Sequence, residues 1–339
     1  MTLSRLVIGV LVAVGGVILL QMFGVLNFLN LGSAPEPVRT IVSKIPGQEF
    51  NIGQDRATID IRKIRQGCPA GRDCIPSIDN PEFVNAEEAE QRGWIAGGDV
   101  VFGITHKGVS RAYPQNILNW HEIVNDTIAG DPILITFCPL CGTSIAFERT
   151  IEVGDQRVES EFGVSGKLVN SNLVMYDRTT ETLWQQLGGD AIVGELVGQE
   201  LVPFKIDNVL WKDWKVRHPD TEVLSRETGF SRDYDRGPYG SYEENRTFLF
   251  EPEVEDDRLH PKQVVWGIEV GGTAKAYSDE ALAREGEVND TVGGVNVRIE
   301  RSPDSVVTVT NVDTGEEIIP DHSMWFAWFA FHEDTELFQ

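Results

Sequence analysis

The sequence GITHKGVSRAYPQNILNWHEIVNDTIAG, residues 103–130, returns as GIEVGGTAKAYSDEALAREGEVNDTVGG at residues 267–294. The two segments align without a gap and share 11 identities in 28 positions, which chance rarely supplies. Similarity at a fixed spacing indicates a repeated structural unit. Each copy is typical of two strands joined by a tight turn, a short helix, a turn at Asn-Asp and a further strand. The pattern therefore predicts two related strand–strand–helix–strand units over residues 100–136 and 264–300.

Short β-like segments separated by Gly and Asp make up most of the remaining chain. Examples are Ile133–Phe137, Val264–Val270 and Ser305–Asn311. The run from Met324 to Phe329 predicts a buried final strand. The fold class is therefore expected to be α+β and mainly β, with the two related units joined by a β-rich middle.

Composition excludes several classes of protein. The chain of 339 residues is 41% hydrophobic and 24% charged, which are ordinary globular values. Its 53 acidic and 29 basic residues give a net charge of −24. Such a charge repels nucleic-acid backbones, so no nucleic-acid partner is expected. An acidic surface that is poor in Lys is typical of a halophilic source, where salt screens the self-repulsion.

The N-terminal 31 residues predict a membrane anchor. Leu6–Val25 holds one strongly polar residue, Gln21, and twenty helical residues span roughly 30 Å, the thickness of one hydrocarbon core. A cleaved signal peptide is the alternative, with small residues at 32–34 before Pro35. We expect an anchor at 1–31, a stalk and lead-in at 32–74 and a body at 75–339. The protein is then a single-pass protein of the cell membrane, with the membrane as its partner and its body on the extracytoplasmic side.

Four cysteines are present: Cys68, Cys74, Cys138 and Cys141. Outside the cytoplasm the expected state is two disulfides, and proximity in the chain favours Cys68–Cys74 and Cys138–Cys141. The first pair lies in a Gly/Pro-rich loop and is interpreted as a structural staple. The second has the two-residue spacing of exchangeable dithiols.

The two copies differ where chemistry is expected. The first is followed by Cys138-Pro139-Leu140-Cys141, whereas the second has Ser302-Pro303-Asp304-Ser305 at the same spacing. His121 of the first copy aligns with Glu285. Because His121 shares the helix face of Ile117 and Leu118, it is expected to point inward, toward the strand that ends at Phe137. The first half is therefore predicted to carry the site.

Several roles remain open for this cluster. Cys138 and Cys141 could cycle as a dithiol, with His121 nearby. They could instead bind copper or another soft metal ion, with His121 and Met175 as further ligands. A Cys138 nucleophile with His121 as its base is a third alternative. An inert disulfide or two buried thiols is the fourth.

The middle segment supplies candidate substrate-binding residues. Polar and apolar residues alternate up to Asp177, which is typical of a strand with one face toward a cleft. The candidates are Ser165, Asn172, Asp177, Arg178 and Trp184. The alternative is that Asp177 and Arg178 pair in a turn and that Trp184 belongs to the core.

With these segments in view, the sequence resembles the domain of unknown function 3179 family (DUF3179). The matching stretches are Ile75–Asp79, Val124–Asp126, Cys138–Thr143, Phe162–Gln186, Trp211–Pro219, Tyr234–Tyr242 and Trp325–Trp328. The resemblance covers about residues 75–338 and implies no established activity. It implies an exported or membrane-anchored protein, here of haloarchaeal source.

Two functions follow. One is a membrane-anchored exoplasmic protein whose Cys138/Cys141/His121 cluster binds a soft metal or cycles as a dithiol. The other is a non-enzymatic binding or surface-structural module with inert disulfides.

Overall fold

Short strands separated by tight turns form most of the molecule, as the spacing of Gly and Asp predicts. The computed structural model describes residues 56–339. Ahead of the first repeat copy lie one 3₁₀ turn, Ile61–Lys63, the strands β1 (Arg65–Gln66) and β2 (Phe83–Asn85) and the helix α1 (Ala86–Gln91). The side chain of Asn85 caps α1 by accepting a hydrogen bond from the Glu88 amide (2.9 Å).

The first copy and the middle of the chain supply the next fourteen strands and two helices. The elements of the first copy are β3 (Val100–His106), β4 (Val109–Pro114), α2 (Gln115–His121), β5 (Ile123–Ile128) and β6 (Asp131–Cys138). The elements that follow are β7 (Thr143–Glu148), β8 (Thr150–Val153), β9 (Gln156–Glu159), β10 (Phe162–Val169), β11 (Asn172–Asp177), β12 (Leu183–Gln185), β13 (Ala191–Val193), β14 (Pro203–Phe204), β15 (Asp207–Leu210), α3 (Trp211–Arg217) and β16 (Glu222–Leu224).

The second copy begins after a second 3₁₀ turn, Tyr242–Glu244. Its elements are β17 (Val264–Val270), β18 (Thr273–Ser278), α4 (Asp279–Glu285), β19 (Glu287–Val292), β20 (Val295–Arg301), β21 (Val307–Asn311), β22 (Glu317–Ile318), β23 (Asp321–Met324), α5 (Trp325–Phe331) and β24 (Glu336–Phe338).

These strands form five sheets in residues 56–339. Their orders are β15-β3-β4-β16-β2, β24-β18-β17-β23-β7-β6-β5 with β14 beside β7, β19-β20-β21-β22, β1-β10-β11-β12-β13, and the hairpin β8-β9. The second of these contains strands from both copies, because β23 pairs with β7 at His322 and Ser144. One hydrophobic cluster lies between β6–β7 and the β10–β13 sheet, and it includes Cys138 and Cys141.

The two copies correspond element by element, and the correspondence continues beyond the predicted segment. Each element from β3 to β6 starts 164 residues before its counterpart in β17 to β20. Farther along the chain, the start of each element precedes that of its counterpart by 114 residues: β14 precedes β22, β15 precedes β23, α3 precedes α5 and β16 precedes β24. The pairing registers agree as well: Val101 faces Pro114 and Val265 faces Ser278. The change of spacing arises because the first copy carries β8–β13 as an insertion, where the second has only a short turn.

A glycine against a tryptophan recurs in both copies. A Cβ built on Gly103 would lie 2.3 Å from the Trp214 ring, and one on Gly267 would lie 2.2 Å from the Trp328 ring. The indole of Trp214 donates a hydrogen bond to Thr221 Oγ1 (2.9 Å), and that of Trp328 donates one to Thr335 Oγ1 (2.8 Å). Only glycine leaves room for the ring to pack on the strand.

Two sequence predictions are wrong. The predicted final strand is the helix α5, in which Trp325 and Trp328 lie one turn apart on a shared buried face. The predicted Asn-Asp turn lies inside β5, and the chain reverses at Ala129-Gly130, where φ is 50° and 90°. The segment Phe162–Asp177, predicted as a strand with one face toward a cleft, forms β10 and β11, which are buried along their length and border a small cavity through Val164 and Leu173.

The predicted membrane helix at 1–31 and the first part of the stalk lie outside the described residues. Within 56–339, no helix combines the length and the apolar character needed to cross a bilayer.

Candidate functional site

Cys138 and Cys141 lie at the turn between β6 and β7. Cys138 ends β6, where it pairs with Thr143, and the Cys141 amide donates a hydrogen bond to the Cys138 carbonyl (3.2 Å). Gly142 follows at φ 59°, a conformation that glycine adopts without strain. The two sulfurs are at disulfide-bonding distance, with the Cα atoms 5.6 Å apart. The side chains are 2% and 0% exposed, so they lie in the core beneath the surface.

A buried polar network from the insertion contacts the Cys141 sulfur. The Asn172 amide donates to Cys141 Sγ (3.2 Å) and to Gln186 Oε1 (2.8 Å). Gln186 in turn donates to Thr136 Oγ1 on β6 (2.9 Å). The amide of Leu187 donates to Asn172 Oδ1 (3.0 Å), which fixes the Asn172 side chain from the other end. Asn172, predicted as a substrate-binding residue, is therefore a direct neighbour of the sulfur pair.

The other sulfur has a different environment. Cys138 Sγ lies 3.6 Å from the Ser171 carbonyl oxygen, in the β10–β11 turn where Asn170 and Ser171 have φ of 48° and 63°. The Ser171 hydroxyl bonds the Phe250 carbonyl, which ties this turn to the long loop before the second copy. Cys141 Sγ also lies 3.7 Å from a carbonyl oxygen, that of Cys138, so the difference between the two sulfurs is the amide donor on Cys141.

His121 forms its hydrogen bonds with residues other than the two cysteines. Its Nδ1 lies 2.8 Å from the Pro76 carbonyl and its Nε2 2.7 Å from the Tyr234 hydroxyl. Burial lowers the pKa of His121, against the opposing effect of the Pro76 carbonyl, so the ring is neutral at pH 7. The structure gives it no hydrogen bond to either sulfur.

No metal centre assembles among residues 56–339, where no group of three or more His, Cys, Asp or Glu side chains could hold an ion. Met175 is fully buried on β11, opposite Val164 and Trp184, in the same hydrophobic cluster as the sulfurs. Of the predicted copper ligands, Cys138 and Cys141 are at disulfide-bonding distance from each other, and the His121 nitrogens bond Pro76 and Tyr234 instead.

The other predicted substrate-binding residues occupy structural positions. Ser165 donates to the Val174 carbonyl (2.5 Å) within a β-bulge of β10. Asp177 accepts hydrogen bonds from the Trp184 indole (2.9 Å) and the Thr180 amide (2.6 Å), so it closes a buried turn. Arg178 lies 3.4 Å from carboxylate oxygens of both Asp73 and Asp79. None of these four lines the cavities described next.

Two cavities border the Cys138–Cys141 turn. The first, of about 200 Å³, is named the Glu122 cavity; it is lined by Gly67, Cys68, Ile75, Glu122, Leu140, Val164, Gly166, Lys167, Leu168, Leu173, Tyr239, Leu249 and Phe250. The second, of about 250 Å³, reaches Gly142 and is bordered by His322 and Met324. Residues of the turn thus line both cavities, Leu140 the first and Gly142 the second.

The C-terminal part of the chain covers the turn. The Met324 amide donates to the Cys141 carbonyl (2.8 Å), and His322 Nδ1 lies 3.0 Å from the Gly142 carbonyl. Burial lowers the pKa of His322 to about 4, so its Nδ1–H is available as a neutral donor.

Glu122 is the feature that the sequence reasoning missed. It follows α2 with φ 58° and ψ −31°, and its side chain is 6% exposed. Burial raises its pKa to about 8, and the Tyr239 hydroxyl donates a hydrogen bond to Oε1 (3.4 Å). The sequence does hold one sign of it: Glu122 aligns with Gly286 of the second copy, so a side chain stands where the other copy has glycine.

The pair Cys68–Cys74 is also at disulfide-bonding distance, with the Cα atoms 6.5 Å apart. Its loop packs on the β10 bulge, where the amides of Gly67 and Cys68 both donate to the Gly166 carbonyl (2.9 and 3.1 Å). A Cβ on Gly166 would lie 2.4 Å from the Gly71 carbonyl oxygen, so the two backbones meet without intervening side chains.

The profile of a family described as "Protein of unknown function (DUF3179)" matches residues 72–319, nearly three quarters of the chain. No curated protein and no solved structure matches the sequence of this chain.

Proposed function

Because the chain belongs to the DUF3179 family, whose description assigns no function, we propose from the site itself that Cys138 and Cys141 form a thiol–disulfide redox centre. The observation that carries the proposal is the unequal environment of the two sulfurs. Each sulfur lies near a carbonyl oxygen, whereas the amide donor of Asn172 lies on Cys141. A structural cross-link needs no such difference, whereas an exchange reaction uses one sulfur as target and the other as leaving group.

The exchange uses an external dithiol as reductant. Its thiolate attacks Cys138 Sγ, the sulfur–sulfur bond breaks, and Cys141 leaves as a thiolate stabilised by the Asn172 amide. The second thiol of the reductant then attacks the mixed disulfide and releases Cys138, forming a disulfide in the reductant. Two electrons and two protons pass to the protein, which ends as a dithiol. The reverse sequence oxidises an external dithiol.

The proposed setting is the extracytoplasmic face of a membrane. The apolar run Leu6–Val25 and the Cys68–Cys74 pair, typical of an oxidising compartment, support it. The excess of 53 acidic over 29 basic residues supports a halophilic source. Protease added to intact cells should digest the body. Protection of the body would contradict this location.

A second candidate is a binding or surface-structural module in which the disulfide is inert. The 2% and 0% exposure of the two cysteines favours it, because exchange requires that a thiol reach the sulfur. A soft-metal site is not carried forward, because the ligand set within the described residues is incomplete.

The deciding experiment is a redox titration of the full chain in detergent. The double variant Cys68→Ser/Cys74→Ser leaves only the proposed centre, Cys138–Cys141. The double variant Cys138→Ser/Cys141→Ser leaves only the Cys68–Cys74 pair and is the matched control. Each is equilibrated in dithiothreitol buffers of graded potential, its free thiols are alkylated, and the products are counted by mass. Near-UV circular dichroism reports the fold in the same samples.

We expect the Cys138–Cys141 pair to titrate reversibly by two electrons with the folded spectrum retained. Replacing Asn172 by Leu should slow its reduction by about tenfold, because a charge-assisted hydrogen bond of about 1.5 kcal/mol to the leaving sulfur is lost. A pair that resists reduction until the protein unfolds would establish the structural alternative.

A further inference from the structure

Glu122 occupies a backbone conformation that suits glycine. Its φ of 58° with ψ of −31° lies outside the left-handed region that side chains tolerate, and the corresponding Gly286 has φ 73° and ψ −43°. The backbone role is the same in both copies, since the carbonyls of Glu122 and Gly286 accept from Phe137 and Arg301 (2.7 and 2.8 Å). The first copy therefore holds a strained residue where glycine would serve, a mark of a functional position.

Burial of the Glu122 side chain adds a second cost in folding free energy. The carboxyl is 6% exposed, and the Tyr239 hydroxyl at 3.4 Å is its hydrogen-bond partner among the described residues. A buried carboxyl with so little compensation costs free energy. With its pKa raised by burial, Glu122 is protonated at pH 7 and has an O–H to donate.

The space beside this acid fits one small ring. The Glu122 cavity has a volume of about 200 Å³, and a cavity of roughly 150 Å³ is enough to hold benzene. Most of its wall is apolar, with Ile75, Leu173 and Phe250 around Leu140 of the cysteine turn. Apart from Glu122, its titratable wall residues are Tyr239, whose pKa burial raises, and Lys167, whose ammonium bonds Gln66 Oε1 (3.1 Å).

We propose that the Glu122 cavity binds a small neutral molecule with a single-ring apolar body and a carbonyl-type oxygen, which accepts a hydrogen bond from the Glu122 carboxyl. Binding pockets commonly combine an apolar wall with a few polar groups that fix orientation. This site is independent of the redox proposal and stands whether the neighbouring sulfurs exchange or not.

Two isosteric probes test the proposal. Acetophenone carries the acceptor oxygen, and α-methylstyrene has a methylene group in its place. Binding of each to the full chain in detergent is measured by isothermal calorimetry at pH 6.5 and pH 9.5. We expect at least tenfold tighter binding of acetophenone at pH 6.5, and loss of this preference at pH 9.5, where the ionised carboxyl no longer donates.

Variants separate the acid from the cavity shape. Glu122→Gln keeps a donor, so it should keep the preference and lose the dependence on pH. Glu122→Gly suits the backbone and should abolish the preference. Glu243→Gln, at the second cavity, is the matched control and should change nothing. Equal binding of the two probes, no binding of either, or an unchanged preference in Glu122→Gly would overturn the proposal. The same measurement on Cys138→Ser/Cys141→Ser should give the wild-type preference.

Discussion

The two halves of the molecule share a scaffold and differ in what is added to it. Both have the glycine packed on a tryptophan, the tyrosine bonded to an aspartate and the same strand registers. Only the first has the insertion β8–β13, the cysteine turn and a buried acid at the end of its helix. The shared residues are those that packing requires, whereas Glu122, Leu140 and part of the insertion, which the second half lacks, line the Glu122 cavity. The second half is therefore an internal control for the first.

The largest expected effect is the pH dependence of the free energy of unfolding that Glu122 causes. Folding raises the pKa of Glu122 from 4.5 to about 8, so between these values the folded chain keeps a proton that the unfolded chain loses. Stability must then fall as pH rises through this window, by about 5 kcal/mol at about 1.4 kcal/mol per pKa unit. Urea unfolding at pH 5, 6.5, 8 and 9 should show this loss in the wild type, and Glu122→Gln should lack the part that Glu122 contributes while keeping the part that other buried acids contribute.

Asp321 of the second half provides a control for that measurement. Burial, with Asp190 and Glu269 nearby, raises its pKa from 3.8 to about 7, so Asp321→Asn should remove a loss of stability that falls in a lower pH window and that Glu122→Gln keeps. Parallel curves for the wild type and Glu122→Gln would show that Glu122 ionises normally in the folded state.

The next effect tests whether the scaffolds are equivalent. Gly103→Ala and Gly267→Ala each force a methyl group into a buried indole ring, and each should cost about 3 kcal/mol of unfolding free energy. Gly98→Ala is the matched control, because its Cβ has open space and its change should be near zero. Chemical denaturation measures all three. A large cost in one half alone would break the comparison.

A smaller effect should distinguish the halves. Tyr113 bonds Asp126, whose side chain is 4% exposed, whereas the Asp290 that accepts from Tyr277 is 21% exposed. Losing a hydrogen bond to a buried charge costs more than losing one that water replaces. We expect Tyr113→Phe to cost about 2 kcal/mol and Tyr277→Phe about 1 kcal/mol in thermal or urea unfolding. The reverse order would contradict the burial argument.

The smallest effect calibrates the strain at Glu122. Gly286→Ala places a side chain at φ 73° in open space, so its cost measures the backbone conformation alone. About 1 kcal/mol is expected from urea unfolding. A neutral result would remove the strain argument while leaving the cavity intact.

Part of this fold could be predicted from sequence because it is reflected in the spacing of residue types along the chain. The shared Gly, Tyr and Asn-Asp positions predicted the segments at 100–136 and 264–300. The later correspondence of Trp211 with Trp325 was missed, since the insertion changes the spacing from 164 to 114 residues. The short run Met324–Phe329 misleads because an apolar run of that length is compatible with either a strand or a helix.

The site could be predicted only where it is local in sequence. The position of Cys138 at a strand end follows from the apolar run before it, and the pairing with Cys141 from their spacing. The partners of His121 could not be predicted, because Pro76 and Tyr234 are brought to it by distant loops. Glu122 was hidden for a different reason, since its backbone conformation and its burial are properties of the folded chain alone.

The cover over the cysteine turn has a consequence for biosynthesis. Gly142 and His322, whose contact helps to close the turn, are 180 residues apart. At 5–20 residues per second, the ribosome needs roughly 10–40 s to add that length. During this interval the β7 edge is unpaired at Ser144 and the nascent cysteines lack their cover. In the proposed extracytoplasmic setting, oxidising enzymes would meet these thiols before the last strands arrive and bury them.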